Sequence, residues 1–223
     1  MTEETANQGK NNADNQATGK LAVLADYIAS VYGKVLIKQE IALGELSFTV
    51  RRDALHDLIN FLKTNDKCAC QQLVNISGAD YPDRAERFDV VYNLLSLTHN
   101  HRVRVIVMVG EDETVDSVTD LYSGAGWYER EVWDLYGVPF KNHPDMRRIL
   151  TDYGFEGHPL RKDFPLTGFV ELRYDEEKQR IVQEPVELTQ DYRNFDFISP
   201  WEGMTTVQLP GDEKAVKQKV GVK

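Results

Sequence analysis

Four residues of metal-ligand type lie close together in the second half of the chain: His143, Asp145, His158 and Asp163. Neutral imidazoles and carboxylates that converge on one divalent ion can activate a bound water molecule for hydrolysis. The sequence therefore raises a metal-dependent hydrolase as one possible activity.

The residues around these four argue against a metal. Four cationic residues are interspersed among them: Arg147, Arg148, Arg161 and Lys162. Cations near a divalent ion cost Coulomb energy at short range. Each histidine also precedes a proline, which is a common turn composition that needs no metal. We therefore interpret both histidines as parts of structured turns, assign no metal ligand, and keep the hydrolase as a distant alternative.

Glu129 and Glu131 flank Arg130 and could act as a general acid and base. Neighbouring positions on a helix point about 100° apart, so the two carboxylates diverge by about twice that angle. We interpret them as salt-bridge partners of different neighbours. The sequence also has no nucleophile elbow, phosphate loop or dinucleotide fingerprint. No catalytic or cofactor-binding residue is assigned.

Composition excludes several classes of protein. The net charge of −10 argues against a generic nucleic-acid or anionic-membrane surface. No apolar run approaches the roughly 20 residues that cross a bilayer, so membrane association is expected only through a partner. Cys68 and Cys70 are too few for a disulfide framework or an iron–sulfur cluster.

The span from Trp127 to Pro165 has two halves with different patterns. In the first half, Glu129, Trp133 and Tyr136 share one helical face, while Arg130 and Asp134 share another. In the second half, prolines and glycines are too frequent for regular structure. We call residues 139–165 the ribbon. A long segment of this kind, rich in arginine and aromatic residues, is typical of a surface that contacts another protein, and the alternative is that it wraps its own domain.

The elements before the ribbon follow from hydrophobic periodicity. Helices are predicted from about Leu21 to Tyr32, after an N-cap at Asp53, from Val115 to Tyr122 and from Tyr128 to Tyr136. Strands are predicted at 35–41, 46–50, 72–77, 88–97 and 103–109. This order predicts an α+β fold, a two-layer sandwich of helices on a mostly antiparallel sheet, followed by an extended C-terminal arm.

Four regions are expected along the chain. Residues 1–20 read as a disordered polar tail, 21–138 as the α+β domain, 139–210 as an extended subunit-contacting arm with a small hairpin, and 211–223 as a mobile tail. The hairpin is predicted from Phe169–Tyr174 and Arg180–Val186. Residues 1–20 resemble neither a secretory signal nor a mitochondrial presequence.

The second half of the chain resembles a known family. Glu129-Arg130-Glu131, Asp134-Leu135-Tyr136, His143, Arg147 and Ile149-Leu150, followed by DYGFEGHPLRKDFP, resemble the signature of the C-type subunit of proton-translocating NADH:quinone oxidoreductase, respiratory complex I. The spacing agrees throughout Trp127–Pro165. The resemblance implies a structural subunit of the peripheral arm that supports electron transfer from NADH to quinone and is not itself catalytic.

The resemblance also implies partners and cofactors. FMN, iron–sulfur clusters, NADH and quinone belong to the complex, and none is expected on this chain. The partners are other peripheral-arm subunits, chiefly the D-type subunit that contributes to the quinone site, and no nucleic acid. The expected location is the cytoplasmic side of a bacterial plasma membrane, or the matrix side for a processed mitochondrial chain. A scaffold subunit of a related membrane-bound hydrogenase or plastid-type dehydrogenase is the alternative.

The residues that carry the resemblance become candidate structural and interface positions, with the arginines expected to pair with carboxylates. They are Glu129, Arg130, Glu131, Trp133, Asp134, His143, Asp145, Arg147, Arg148, His158, Arg161, Lys162 and Asp163.

Overall fold

The computed structural model describes residues 19–188 and 190. The chain divides into two compact units between Phe169 and Val170. The ribbon therefore lies in the same unit as the sheet. The tails predicted at 1–20 and 211–223 lie outside the described residues, except that residues 19 and 20 are helical. That the arm over 139–210 contacts other subunits stays a prediction.

A five-stranded sheet forms the centre of the first unit, with the strand order β1-β2-β5-β4-β3. Its strands are β1 (Leu36–Ala42), β2 (Glu45–Val50), β3 (Gln72–Asp80), β4 (Phe88–Ser96) and β5 (His101–Val109). Strands β2 and β5 are parallel, and the other three neighbouring pairs are antiparallel. The sheet is mostly antiparallel, as predicted.

One face of this sheet is the core. Val103, Val105 and Val107 of β5 alternate inward and are almost fully buried. Val105 lies opposite Tyr92 of β4 and Phe48 of β2, so the inward sets of the three strands meet. This single hydrophobic face explains why the register is unique, since a shift by one residue would expose every inward side chain.

Three helices supply the other half of this core: α1 (residues 19–32), α2 (Leu55–Thr64) and α3 (Ala125–Tyr136). The rings of Tyr32 and Phe61 are 5.1 Å apart between α1 and α2. Helix α3 lies against β3, where the ring of Tyr136 covers Gly78. The predicted two-layer α+β sandwich is confirmed.

Two helix predictions are wrong in detail. Residues 115–122 form a short strand, β6 (Val115–Asp116), followed by turns. Strand β6 pairs with β7 (Phe140–Lys141), and the Ser117 hydroxyl oxygen accepts a hydrogen bond from the backbone N–H of Thr119, which favours a turn over a helix. Helix α3 begins at Ala125, earlier than expected.

The cap predicted at Asp53 is also wrong. Asp53 lies in a 3₁₀ turn, η1 (Arg52–Ala54), and its carboxylate accepts hydrogen bonds from Arg51 instead of from the backbone of α2.

The second unit contains the predicted hairpin. Strand β8 (Val170–Asp175) pairs antiparallel with β9 (Arg180–Pro185). In neither unit does a described helix have the length and apolar character to cross a bilayer.

Gly78 gives a test of the packing between α3 and the sheet. A Cβ at this position would lie 2.5 Å from the ring of Tyr136. We expect Gly78→Ala to lower the free energy of unfolding by about 1–3 kcal/mol, because the helix must shift. Gly124→Ala, where a Cβ meets nothing within 4 Å, is the matched control. Urea unfolding of both variants measures the difference, and equal stability would contradict the packing described.

Candidate functional site

The carboxylate of Asp134 holds the ribbon against α3, and we call this contact the first anchor. The carboxylate is fully buried. It accepts five hydrogen bonds: Oδ2 from the N–H groups of Ile149, Leu150 and Thr151 at 3.1, 2.8 and 3.0 Å, and Oδ1 from Arg148 Nη1 at 2.8 Å and Thr151 Oγ1 at 2.7 Å. Three successive backbone N–H groups that face one oxygen form a concave anion site.

The protonation state of Asp134 follows from these partners. Burial alone would raise the pKa of its carboxyl, but the bonds from Thr151, Leu150 and Arg148 outweigh burial and hold the pKa well below its usual range. The carboxyl of Asp134 is therefore ionised at neutral pH.

Arg130, one helical turn before Asp134, binds backbone carbonyls of the ribbon next to the N–H groups that Asp134 binds. Its Nε donates to the carbonyl of Arg147 at 2.8 Å, and its Nη2 donates to the carbonyl of Arg148 at 3.3 Å. The i, i+4 pair predicted from sequence thus binds carbonyls with its cation and N–H groups with its anion. Two adjacent side chains fix the backbone over residues 147–151.

Arg148 completes this contact from the ribbon side. Besides Asp134, it donates from Nη2 to the carbonyl of Gly157 at 3.0 Å. Its guanidinium lies 5.6 Å from the ring centre of Trp133 and 5.8 Å from that of Phe155. A planar cation between aromatic faces gains cation–π attraction while its N–H groups stay bonded.

The ribbon also caps the C-terminus of α3. The carbonyls of Asp134, Leu135 and Tyr136 have no partner within the helix, and each accepts a bond from the ribbon. His158 Nδ1 donates at 2.9 Å, the Leu160 N–H at 3.1 Å and Arg161 Nε at 2.6 Å. Burial lowers the pKa of His158, and the charges of Arg161 and Arg148 lower it further.

Gly137 makes this cap possible. It has φ +79°, and a Cβ there would lie 2.5 Å from Arg161 Nη2 and 2.6 Å from the His158 ring. The position therefore needs glycine for both its backbone conformation and its space.

A second anchor joins the end of the ribbon to the sheet. Asp80, at the end of β3, is bidentate with Arg87 at 2.7 and 2.9 Å and accepts the Lys162 N–H at 2.7 Å. Arg87 also donates to both oxygens of Asp163, at 3.2 and 3.0 Å, and pairs with Glu111. The hydrogen bonds that Arg87 donates to Asp80 and Asp163 raise the pKa of Arg87 and stabilise its charge.

Sequence reasoning missed Asp80 and Arg87. Their positions at the facing ends of two consecutive antiparallel strands were the available signal, because such ends lie side by side.

Glu129 has a different role from the one predicted. Its carboxylate is buried and accepts the Ser117 hydroxyl at 2.7 Å and the Val118 N–H at 2.8 Å, so it fixes the turn after β6. Its nearest basic group is His143 Nε2 at 3.9 Å. The salt-bridge interpretation of Glu129 is wrong, since the partners are a hydroxyl and a backbone amide. Burial raises the pKa of Glu129 to about 7 despite these bonds.

His143 forms a structured turn. Its Nδ1 accepts the Asp145 N–H at 3.0 Å, so its Nε2 carries the proton and donates to the carbonyl of Gly126 at 3.1 Å. This fixes a neutral tautomer and ties the start of the ribbon to the start of α3.

The remaining candidate residues do not converge on one point. Asp145 pairs with Arg147 at 2.7 Å, and Arg147 is largely exposed. Asp163 pairs with Arg87, and Lys162 contributes its backbone N–H while its residue is exposed. Glu131 is half-buried. Over residues 19–188, no three His, Cys, Asp or Glu residues are grouped as metal ligands.

The arginines divide into two classes. Arg147 and Arg148 pair with carboxylates of this chain, whereas Arg130 and Arg161 donate to backbone carbonyls. That these arginines meet carboxylates of a neighbouring subunit stays a prediction.

Comparison with known proteins gives a consistent result. The family model described as "Respiratory-chain NADH dehydrogenase, 30 Kd subunit" matches residues 48–170, which include both anchors. The chain is 57% identical over 199 residues to the C-type NADH-quinone oxidoreductase subunit of Paramagnetospirillum magneticum, covering 89% of this chain and 99% of that protein. It is 56% identical over 192 residues to the corresponding subunit of Sinorhizobium medicae, covering 86% and 95%.

A similar fold occurs in a solved structure. A chain of the membrane-bound sulfane sulfur reductase, an archaeal respiratory membrane complex, superposes with a TM-score of 0.58 at 24% identity. The match covers 72% of this chain and 98% of that chain.

Asp134→Asn tests the first anchor. The side-chain amide of Asn would place its own N–H groups next to hydrogen-bond donors of the ribbon, so some of those donors would lose their acceptor. Arg148 would also lose the negative charge with which it pairs. We expect the free energy of unfolding to fall by about 2–5 kcal/mol, with new protease cleavage in residues 147–157. Asp145→Asn is the matched control, because its ion pair with Arg147 is exposed and should contribute little to stability. If both variants have the same stability and cleavage pattern, Asp134 does not hold the ribbon.

Glu129→Gln tests the buried carboxyl. Since folding raises its pKa from an ordinary 4.5 to about 7, the folded state binds more protons than the unfolded state between these values. The wild type should lose stability relative to Glu129→Gln as pH rises from 4.5 to 7, by at most about 1.4 kcal/mol per pH unit. Unfolding curves at several pH values measure this difference. Parallel pH profiles would show that Glu129 titrates normally.

Proposed function

The chain belongs to the family of 30 kDa subunits of respiratory-chain NADH dehydrogenase, and we propose on that basis that it is a structural subunit of the peripheral arm of an NADH:quinone oxidoreductase. The observation that carries the proposal is 57% identity to a C-type NADH-quinone oxidoreductase subunit across 99% of that protein's length. The complex transfers electrons from NADH to quinone, coupled to proton translocation, and this chain takes part by assembling with it.

The geometry supports a structural role. The charged residues of the ribbon act on backbone groups and on one another: Asp134 binds N–H groups, Arg130 and Arg161 bind carbonyls, and His158 caps a helix. A general acid must be able to donate a proton to the substrate, and a general base must be able to accept one from it, within hydrogen-bond reach. We propose that FMN, the iron–sulfur clusters, NADH and quinone are bound by other subunits of the complex.

We propose the ribbon as the surface that meets a neighbouring subunit, chiefly the D-type subunit of the quinone site. Its inner side is fixed by the two anchors, while its outer side presents large side chains: Tyr153 is fully exposed and Leu150 is 60% exposed. With Arg147 they line a groove of about 630 Å³. Interfaces are enriched in aromatic and arginine residues, and a surface fixed in advance loses less conformational entropy on binding.

The location proposed is the cytoplasmic side of a bacterial plasma membrane, reached through the complex. The two relatives described above are bacterial proteins. A scaffold subunit in a related hydrogenase or plastid-type dehydrogenase would use the same fold. The high identity to NADH-quinone oxidoreductase subunits favours the first assignment, and a copurifying NADH-oxidising flavoprotein subunit would distinguish it.

Purification from membranes tests the assignment. A tagged chain expressed in a bacterium that lacks its own copy of this subunit should restore NADH:quinone reductase activity and copurify with the other peripheral-arm subunits. If the chain restores activity without entering the complex, or purifies alone from membranes that contain the complex, the structural assignment is wrong.

Leu150→Asp tests the outer side of the ribbon. Because Leu150 is exposed, the isolated chain should keep its stability, while a charge placed in a desolvated interface costs about 2–5 kcal/mol and should lower the yield of complex. Val31→Asp, at a similarly exposed site on α1, is the control. Complex yield on native gels and NADH:quinone reductase activity should fall together. Normal yield with slow turnover would instead show that the ribbon influences the reaction.

A further inference from the structure

A groove lies at one end of the sheet, far along the chain from the ribbon. Because β2 and β5 are parallel neighbours, the turns that precede them, at residues 43–44 and 97–100, lie at the same end of the sheet. The first turns of α1 and the loop at Lys67 complete the walls. The groove has a volume of about 840 Å³, within the range of about 300–1,000 Å³ that binding sites have.

The charge of this groove is opposite to that of the whole chain. Lys20, Lys67 and Arg102 line it, and all three are exposed. None of its described lining residues is Asp or Glu, although the chain has 36 acidic and 26 basic residues. A concentration of one sign of charge in a concave site attracts groups of the opposite sign.

The groove also has apolar and aromatic surface. Val23 is 71% exposed on its α1 wall. Lys67 Nζ lies 4.1 Å from the ring centre of Tyr27, which holds the cation in place. His99 and His101 also line the groove, and the centres of their stacked rings are 5.7 Å apart. An occupant therefore needs an apolar side chain as well as negative charge.

One polar atom in this wall indicates a missing contact. His101 Nε2 is buried and has no hydrogen-bond partner among the described residues. Buried polar atoms are almost always paired in native proteins. The exposed ring of His99 stacks parallel to the ring of His101, and both residues line the groove.

We propose that this groove binds an acidic peptide segment of another subunit, with carboxylates on Lys20, Lys67 and Arg102 and an apolar side chain against Val23. The inference rests on the proposed function, because it takes the partner from the same complex. A nucleic acid does not fit an exposed valine wall on a chain with net charge −10. Residues 1–18 of this chain contain Glu3, Glu4 and Asp14 but no Val, Leu, Ile or aromatic residue, so they do not match the apolar wall.

The test uses the assembled complex. A photo-crosslinking amino acid placed at Val23 should attach to a segment of another subunit that carries at least two carboxylates near the attachment point. Lys67→Glu with Arg102→Glu in the same chain should reduce the crosslinked fraction by about tenfold or more, because like charges then face each other. Lys34→Glu, at an exposed lysine outside the groove, should leave the fraction unchanged. Circular dichroism of each variant checks that the chain is folded.

The other outcomes separate the two proposals. If the chain copurifies with the complex but the probe attaches to residues 1–18, to a segment without carboxylates or to nothing, the groove inference is wrong and the proposed function stands. An unchanged crosslinked fraction in Lys67→Glu/Arg102→Glu also overturns the inference. If the chain does not copurify with the complex at all, the proposed function fails first.

Discussion

The arrangement of the ribbon depends on the hydrogen bonds of one buried carboxylate, that of Asp134. A buried ionised carboxylate is stable only when hydrogen bonds replace the water that it has lost. Five donors from residues 148–151 do so here. Because the four residues that supply these donors are consecutive, satisfying one side chain also fixes a stretch of backbone that has no helix or strand of its own.

The remaining contacts of the ribbon follow from this position. Once residues 148–151 lie on α3, the chain continues past the C-terminus of the helix, where three carbonyls need donors. His158, Leu160 and Arg161 supply them. Asp163 and the Lys162 N–H then reach the Asp80–Arg87 pair at the edge of the sheet. Each anchor leaves the outward side chains of the ribbon in a fixed arrangement, which suits a surface that is recognised and does not need to move.

The charged residues at the two anchors therefore stabilise the fold through contacts within the chain. Residues that look catalytic in the sequence, such as Glu129 and His143, are buried among a hydroxyl, an amide and a carbonyl. Exposed cations lie elsewhere: Arg147 is on the outer side of the ribbon, and Lys20, Lys67 and Arg102 line the groove beside α1. We propose these two surfaces as separate places at which the chain meets other subunits.

The sequence determined the fold class, most strands, the helical face shared by Arg130 and Asp134, the irregular ribbon and the family, because periodicity, proline and glycine act locally. It did not determine that 115–122 is a strand and turn, that Glu129 bonds Ser117 and Val118, or that Asp80 and Arg87 anchor the ribbon. Those outcomes depend on which groups meet across distant parts of the chain. Local preference is worth tenths of a kilocalorie per mole, whereas a buried charge without partners costs several, so tertiary contacts decided these positions.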